Sequence, residues 1–411
     1  MQYKLITNPV LRAGIHLPAS KSISNRALIL HALSQGKIRP CNLSDCDDTQ
    51  VMIRALDEMP DTIDILAAGT AMRFLTAYLS VTPGTHIITG TARMQQRPIR
   101  ILVDALRHLG ADISYVSNEG FPPLRIQGAP LQQTEVTLAG NVSSQYISAL
   151  LMIGAVLPHG LRLHLTGNLI SLPYIQLTLQ LMRSFGAKAD WESSDCIRVA
   201  PGGYNDVPFT VESDWSAASY WYQIMALHPD PDACVELYGL FADSYQGDSR
   251  GATLFARLGV HTEFIPQGVR LIRKGKPAEV LHADMVDIPD LAQTFVVTCC
   301  LMNIPFRFSG LQSLKIKETD RLHALVAELH KLGYVLHTEE DSILSWKGER
   351  CKAEPAPVIA TYEDHRMAMA FAPASLKHPN LRIADPHVVS KSYPSYWIHL
   401  QEAGFQVITE E

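Results

Sequence analysis

Residues 101–116, ILVDALRHLGADISYV, have the pattern of an amphipathic helix that ends at Gly110 and passes directly into a strand. A glycine at this position can adopt the positive φ with which many helices end. The same helix–glycine–strand pattern recurs at four further positions: Gly186, Gly259, Gly333 and Gly404. Successive glycines are 76, 73, 74 and 71 residues apart. A period this steady indicates an internal structural repeat.

Each repeat also contains a second helix that is apolar on nearly all sides, which is typical of a buried helix. In the first repeat, Ser22 and Thr70 are only 48 residues apart, and the helix–glycine–strand ending is missing. We therefore predict that the first repeat is shortened by roughly a hairpin. The buried helices are expected at residues 71–81, 145–157, 217–227, 290–302 and 365–376, with an earlier copy at 24–36.

Six repeats of βαβαββ outline predict an α/β (α+β) fold in which helices pack inside small sheets. We expect an inside-out α/β barrel with two lobes of three repeats each. The predicted lobes are residues 21–211, with repeats 1–3, and residues 1–20 plus 212–411, with repeats 4–6. A single closed ring of six blades is the alternative. The alternation of buried helices and strands favours two lobes.

Composition excludes several classes of function. The chain has 411 residues and a formal net charge of −6, so it lacks the overall basic field of a nucleic-acid-binding protein. The longest apolar run, residues 147–157, is too short to span a membrane. The seven cysteines are scattered and include no CxxC pair, which favours a reducing cytoplasm. The 16 histidines include no HExxH motif, so the sequence gives no metal site. Any anion site must therefore be a local cluster of cations.

Such a cluster is indicated at the helix starts, where lysine, arginine and serine recur in the same register of five repeats. Helix N-termini bind phosphate and carboxylate groups through unpaired N–H groups and the helix dipole. Taken singly, each segment is better explained as a helix cap or a surface turn; the shared register favours an anion site. The candidate residues are Lys21, Ser22, Arg26, Gly69, Arg97, Ser143, Ser144, Gln145, Ser171, Asp290, Lys317, Arg321, Arg366 and Lys391.

The segment KETDR, residues 317–321, places an acid beside two cations. We expect this segment on a helix, where Lys317 and Arg321 share a face. Glu318 would then be held ionised by its neighbours until an anionic substrate binds and favours its protonation, which describes a general acid. Asp290, at the head of a buried helix, is the candidate base.

Nine ordered motifs between residues 20 and 397 resemble those of the EPSP synthase (3-phosphoshikimate 1-carboxyvinyltransferase) family. The resemblance implies two lobes of three βαβαββ units, which close on substrate. It also implies transfer of the enolpyruvyl group of phosphoenolpyruvate to the 5-hydroxyl of shikimate 3-phosphate, without a cofactor. The motifs are SKSISNRAL, AGTAMRFL, RMQQRPI, VSSQYISALLM, SLPYIQLTL, IPDLAQT, IKETDRL, EDHRMAMA and VSKSYPSYW.

The resemblance also implies roles for individual residues. Asp290, Glu318 and Lys21 would be catalytic. Shikimate 3-phosphate would be bound by Lys21, Ser22, Arg26, Ser143, Ser144, Gln145, Ser171, Asp290, Ser313 and Lys317. Phosphoenolpyruvate would be bound by Lys21, Gly69, Arg97, Gln145, Arg321, Arg366 and Lys391.

Four positions depart from the family pattern: Ala67, Phe74, Ser313 and His387. Ala67 and Ser313 remove or shorten side chains expected near the substrates. We expect glyphosate to bind because Gly69 is retained, with Phe74 as the main reason for it to fail. Two alternatives remain open: a UDP-N-acetylglucosamine enolpyruvyl transferase, and a homologue that binds the ligand without catalysis. A monomer is the family expectation.

Overall fold

A computed structural model describes residues 1–170 and 172–410 of the chain. The chain forms two compact units. We call residues 19–211 the first lobe, and residues 1–18 together with 212–411 the second lobe. The predicted lobes differ from these units only by the two residues that precede residue 21.

The helices in the described residues alternate between buried and partly exposed ones. Short 3-10 turns precede several of them, at Met94–Gln96, Gly247–Arg250, Pro289–Leu291, Gln312–Ile316 and Pro386–Lys391, and another, Ala372–Leu376, follows a helix. The α-helices are α1 (Lys21–Ser34), α2 (Asp47–Glu58), α3 (Gly69–Val81), α4 (Arg100–Leu109), α5 (Ser144–Gly154), α6 (Leu172–Ser184), α7 (Trp215–Leu227), α8 (Gly251–Ala256), α9 (Ala292–Leu301), α10 (Arg321–Lys331), α11 (His365–Phe371) and α12 (Tyr396–Glu402).

The strands of the described residues are short, from two to six residues. They are β1 (Gln2–Ile6), β2 (Arg12–His16), β3 (Thr62–Asp64), β4 (Gly84–Thr89), β5 (Asp112–Tyr115), β6 (Leu124–Gly128), β7 (Glu135–Ala139), β8 (Leu161–Thr166), β9 (Ala189–Trp191), β10 (Cys196–Val199), β11 (Cys234–Tyr238), β12 (Val260–Ile265), β13 (Gly268–Arg273), β14 (Leu281–Asp284), β15 (Phe306–Ser309), β16 (His337–Glu339), β17 (Ile343–Trp346), β18 (Val358–Ile359), β19 (Arg382–Ala384) and β20 (Gln406–Glu410).

These strands form five four-stranded sheets, and all five have the same topology. The sheet β3-β4-β6-β5 is the pattern: its first pair is parallel and the next two pairs are antiparallel. The sheets β7-β8-β10-β9, β2-β11-β13-β12, β14-β15-β17-β16 and β18-β19-β1-β20 repeat it. The two N-terminal strands thus complete sheets of the second lobe, since β2 pairs with β11 and β1 lies between β19 and β20. The predicted repeat is confirmed.

The buried helices pack against one another within each lobe. In the first lobe α1 contacts α3 and α5, and α3 contacts α5. In the second lobe α9 contacts α7 and α11, and all residues of α9 and α11 are buried. An apolar surface on every side of these helices therefore has a partner, as the sequence pattern predicts.

The shortened first repeat is confirmed. After α1 the described residues form α2 without an intervening strand, and Cys41 makes an isolated parallel bridge to Thr210. The predicted glycines are also confirmed: each follows its helix with a positive φ. The values are 108° at Gly110, 87° at Gly186, 85° at Gly259, 91° at Gly333 and 92° at Gly404. In the described residues no helix combines the length and the apolar character that crossing a bilayer requires.

Candidate active site

In the second lobe, the Asp290 carboxylate is surrounded by three cations. Its Oδ1 lies 3.1 Å from Arg321 Nη1 and 3.6 Å from Lys317 Nζ, and its Oδ2 lies 3.1 Å from Arg366 Nη2. Asp290 belongs to the 3-10 turn that leads into the buried helix α9, as predicted. The fold thus presents this carboxylate at the start of a helix that packing holds on all sides.

Arg321 connects this carboxylate to two others. Its side chain is 1% exposed; Nε donates to Asp364 Oδ2 at 2.7 Å and Nη2 donates to Glu318 Oε2 at 2.9 Å. Burial disfavours the charged guanidinium, but the carboxylates of Asp364, Glu318 and Asp290 outweigh burial and raise the pKa of Arg321 above its ordinary value. Arg321 is therefore a permanent cation at the centre of three acids.

The prediction that KETDR lies on a helix is wrong. Helix α10 begins only at Arg321, and Asp320 is its N-cap: the Asp320 carboxylate accepts the backbone N–H of His323 at 3.1 Å. Several residues of this segment could cap a helix, and the sequence does not show which one does. Glu318 consequently lies in the turn before α10, between Arg321 and Lys391, whose Nζ is 3.7 Å from Glu318 Oε1.

Asp364 orders the other arginine of the cluster. It is completely buried, it caps α11, and its Oδ1 accepts the backbone N–H of Arg366 at 2.9 Å. Arg366 Nη1 in turn donates to the backbone carbonyl of Asp290 at 3.2 Å. The two arginines that face Asp290 are thus both fixed by one carboxylate, through a guanidinium in one case and through the backbone in the other.

In the first lobe, Lys21 is the first residue of α1, and the side chain of Ser20 caps the helix. Lys21 Nζ lies 3.4 Å from Asp48 Oδ2, and Lys21 is largely buried. Asp48 is on α2, in the shortened repeat. Lys21 is therefore held near the helix N-terminus by an acid 27 residues away in the chain.

Arg26 lies one turn further along α1 and is buried. Its Nε donates to Thr178 Oγ1 at 2.8 Å and its Nη2 to Ser148 Oγ at 3.0 Å. The ring of Phe74 lies 5.2 Å from its guanidinium carbon, which is a cation–π distance. Burial lowers the pKa of Arg26 to about 10, so it stays charged at neutral pH. The departure from the family pattern at Phe74 thus covers a predicted substrate-binding residue.

Gly69, the first residue of α3, lies directly against Arg97. A Cβ at Gly69 would come within 2.7 Å of Arg97 Nη1, so only glycine leaves the guanidinium in place. Arg73, one turn along α3, is buried and donates to the carbonyls of Gly69 and Pro98, at 3.1 and 3.3 Å. These bonds fix the loop that carries Arg97.

The remaining predicted residues lie as follows. Ser143 caps α5 by accepting the Gln145 N–H at 3.3 Å, and Gln145 Nε2 donates to Thr70 Oγ1 at 3.1 Å. Ser22, Ser144 and Ser313 are half-buried, the first two at the starts of α1 and α5 and the third in a 3-10 turn. Ser171 lies outside the described residues.

Three acids of these clusters were missed as site residues by sequence reasoning: Asp48, Asp364 and Asp248. Asp248 is 6% exposed, and its carboxylate accepts a hydrogen bond from Ser216 Oγ. Burial and the nearby charge of Asp290 raise the pKa of Asp248 to about 7, despite opposing contributions from Arg366 and Ser216. The available signal was the position of each acid close to a helix start, which is equally typical of a cap.

The family model for EPSP synthase (3-phosphoshikimate 1-carboxyvinyltransferase) matches residues 7–65 and 57–400. The chain belongs to the EPSP synthase family. A 3-phosphoshikimate 1-carboxyvinyltransferase of Bacteroides fragilis (strain YCH46) is 67% identical over 407 residues, which are 99% of each chain. One of Photobacterium damsela subsp. piscicida is 35% identical over 421 aligned positions, covering 96% of this chain and 97% of the relative.

A solved structure of EPSP synthase from Acinetobacter baumannii resembles this chain with a TM-score of 0.77 at 20% sequence identity, covering 99% of this chain and 100% of that one. At that identity the likeness concerns the fold. It agrees with the two-lobed, inside-out α/β architecture of the EPSP synthase family, which the repeat predicts.

Proposed function

We propose that this chain is a 3-phosphoshikimate 1-carboxyvinyltransferase, which transfers the enolpyruvyl group of phosphoenolpyruvate to the 5-hydroxyl of shikimate 3-phosphate and releases phosphate. Family membership supports the reaction class. The observation that carries the proposal for this site is the guanidinium of Arg321, which contacts both Asp290 and Glu318. One fixed cation thus aligns the proposed base and the proposed acid.

The proposed binding residues are those that the family motifs indicate. Shikimate 3-phosphate is bound by Lys21, Ser22, Arg26, Ser143, Ser144, Gln145, Ser171, Asp290, Ser313 and Lys317. Phosphoenolpyruvate is bound by Lys21, Gly69, Arg97, Gln145, Arg321, Arg366 and Lys391. Bidentate contacts from arginine to carboxylate or phosphate supply orientation as well as attraction.

The charges of the second lobe support proton transfer there. Four cations, Lys317, Arg321, Arg366 and Lys391, contact Asp290 or Glu318 directly. When an anionic substrate takes over these cations, the carboxylates lose counter-charge, and their protonated forms become more favourable. A site that holds its cations with its own acids can therefore change the protonation of those acids as substrate binds.

In the proposed reaction Asp290 accepts the proton of the 5-hydroxyl group of shikimate 3-phosphate. The oxygen of that hydroxyl group bonds at the same time to C2 of phosphoenolpyruvate. Glu318 donates a proton to the C3 methylene, which becomes a methyl group in a tetrahedral adduct. The Glu318 carboxylate then takes a proton back from the methyl group, the carbon–carbon double bond re-forms, and the bond from C2 to the phosphate oxygen breaks. The phosphate leaves with the proton that Asp290 had accepted, so both acids return to their starting states. Lys21, at the start of α1, is the third proposed catalytic residue and would stabilise the departing phosphate.

Phosphate release in the presence of shikimate 3-phosphate and phosphoenolpyruvate tests the function, with UDP-N-acetylglucosamine as the competing acceptor. The names of the family and of the relatives do not favour that second acceptor. If neither acceptor supports phosphate release, the proposal that this chain is an enolpyruvyl transferase is refuted. If only the sugar nucleotide supports release, the proposed acceptor substrate is refuted.

The Glu318→Gln variant tests the acid. We expect kcat to fall by about 10²–10⁴-fold because the amide cannot supply the proton. The matched control is Glu279→Gln, an exposed glutamate of the same lobe. Near-normal turnover of the Glu318 variant would contradict the assignment.

Further properties are proposed on narrower grounds. All seven cysteines are free, which supports a cytoplasmic location. We propose a monomer that needs no cofactor, and expect sedimentation at the mass of one chain.

We also propose that glyphosate binds because Gly69 leaves Arg97 in place. Inhibition that is competitive with phosphoenolpyruvate is the expected result, and absence of inhibition would point to the Phe74 substitution.

A further inference from the structure

Helix α10 holds one short segment of the second lobe at two points. At its start, Arg321 bonds Asp364. Two turns later, Glu328 accepts the backbone N–H of Ala360 at 3.0 Å and the hydroxyl of Tyr362 at 2.7 Å. Residues seven apart lie on the same face of a helix, about 10 Å apart along its axis. The segment from Ala360 to Asp364 is therefore fixed at both ends by one face of α10.

The carboxylate of Glu328 is buried and fully hydrogen-bonded. It is 1% exposed, and its two oxygens accept from three donors, the third being Lys331 Nζ at 2.6 Å. Lys331 also donates to the carbonyl of Val358 at 2.9 Å, so the same pair reaches the preceding strand β18. A buried carboxylate is costly unless it is paired and hydrogen-bonded. Two of the three donors to Glu328 belong to the 358–362 segment, and the third, Lys331, is itself bonded to that segment.

The held segment is strained. Tyr362 and Glu363 both have φ of 55°, in the left-handed region that residues with a side chain seldom occupy. Two such residues in succession persist only where surrounding contacts hold them. They immediately precede Asp364, whose own N–H donates to Thr361 at 2.8 Å. The turn therefore sets the position of the carboxylate that orients Arg321.

We propose that Glu328 is a positioning residue for the proposed phosphoenolpyruvate site. By holding Ala360 and Tyr362 it keeps the strained turn in place, and the turn in turn keeps Asp364 against Arg321. The hydrogen bonds of Glu328 go to Ala360, Tyr362 and Lys331, none of which is a proposed substrate-binding residue, so Glu328 acts through the turn. The proposal rests on the proposed role of Arg321 in binding phosphoenolpyruvate.

The Tyr362→Phe variant removes one bond and retains the ring. We expect KM for phosphoenolpyruvate to rise about tenfold, which corresponds to the energy of one hydrogen bond to a charged group. KM for shikimate 3-phosphate should change much less, because Asp290 keeps its contact with Lys317 when Arg321 moves. Glu328→Gln is expected to act in the same direction. The matched controls are Tyr238→Phe and Glu236→Gln, because Tyr238 also donates to a glutamate, Glu236, at 3.0 Å. Both controls should leave each KM unchanged.

A rescue experiment separates positioning from general loss of stability. Glycine adopts positive φ without penalty, so Glu363→Gly should let the turn keep its conformation without the support of Glu328. In the Glu328→Gln background this substitution should lower the raised KM for phosphoenolpyruvate part of the way back to the wild-type value. Equal changes in both KM values, or no rescue, would overturn the proposal. If Arg321→Lys leaves KM for phosphoenolpyruvate unchanged, the proposed role of Arg321 fails instead. If that variant raises KM and the Tyr362 and Glu328 variants do not, the positioning role alone fails.

Discussion

Replacing Asp248 with asparagine should change how the stability of the second lobe depends on pH. Asp248 is almost completely buried and accepts a hydrogen bond from Ser216 Oγ. Burial, with the nearby charge of Asp290, raises its pKa from 3.8 to about 7, although Arg366 and the Ser216 hydroxyl act against the rise. Asparagine has the same shape and keeps an acceptor for Ser216, but it has no charge at any pH.

The sign of the effect follows from the two pKa values. The folded protein binds the proton of Asp248 more tightly than the unfolded chain does, so the stabilisation is complete below the unfolded pKa and is lost as pH rises through the folded pKa. The difference between 3.8 and about 7 corresponds to as much as about 4 kcal/mol of unfolding free energy. Most of this loss falls between about pH 4 and pH 7.

Urea unfolding followed by tryptophan fluorescence measures this dependence, since four of the five tryptophans, Trp215, Trp221, Trp346 and Trp397, lie in the second lobe. From about pH 5 to about pH 8 the unfolding free energy of the wild type should fall relative to that of the Asp248→Asn variant, which becomes the more stable protein at the higher pH. Asp243→Asn, an exposed aspartate five residues earlier, is the matched control. A constant difference between wild type and the Asp248 variant across this range would refute the reasoning.

Two further predictions concern the first lobe. Gly69→Ala places a methyl group 2.7 Å from Arg97 Nη1. Because the end of the arginine side chain can move away, we expect unchanged stability but a KM for phosphoenolpyruvate that is raised about tenfold. An unchanged KM in steady-state kinetics would contradict the proposed role of Arg97. Phe74→Leu removes a buried ring that lies over Arg26 and should lower the unfolding free energy by about 1–2 kcal/mol in urea titrations, whereas a neutral result would show that the ring contributes little.

Local patterns allowed much of the fold to be predicted. The glycine at the end of each amphipathic helix needs only local conformational freedom, and the apolar helices need only the rule that apolar surface is buried. Both features depend on residues close together in the chain. The repeat then extends one local observation, such as the turn at Gly110, to the whole chain.

The partners of the site residues could not be predicted in this way. The pair of Lys21 with Asp48 crosses 27 residues, and the pair of Arg321 with Asp364 crosses 43. Such pairs follow from tertiary packing, which a single sequence does not show. The start of α10 was mispredicted for a different reason: Thr319 and Asp320 within KETDR are both suitable helix caps, and the structure shows that Asp320 is the cap.

The strand order of the second lobe has a consequence for biosynthesis. Strand β1 is synthesised before the whole first lobe, yet it lies between β19 and β20, which are synthesised after that lobe. The first lobe is contiguous in the chain and can fold during translation, whereas β1 must wait with both edges unpaired. Exposed edges of this kind promote association between nascent chains. A circular permutant that begins at residue 19 and fuses β20 to β1 would let each lobe emerge as a contiguous segment.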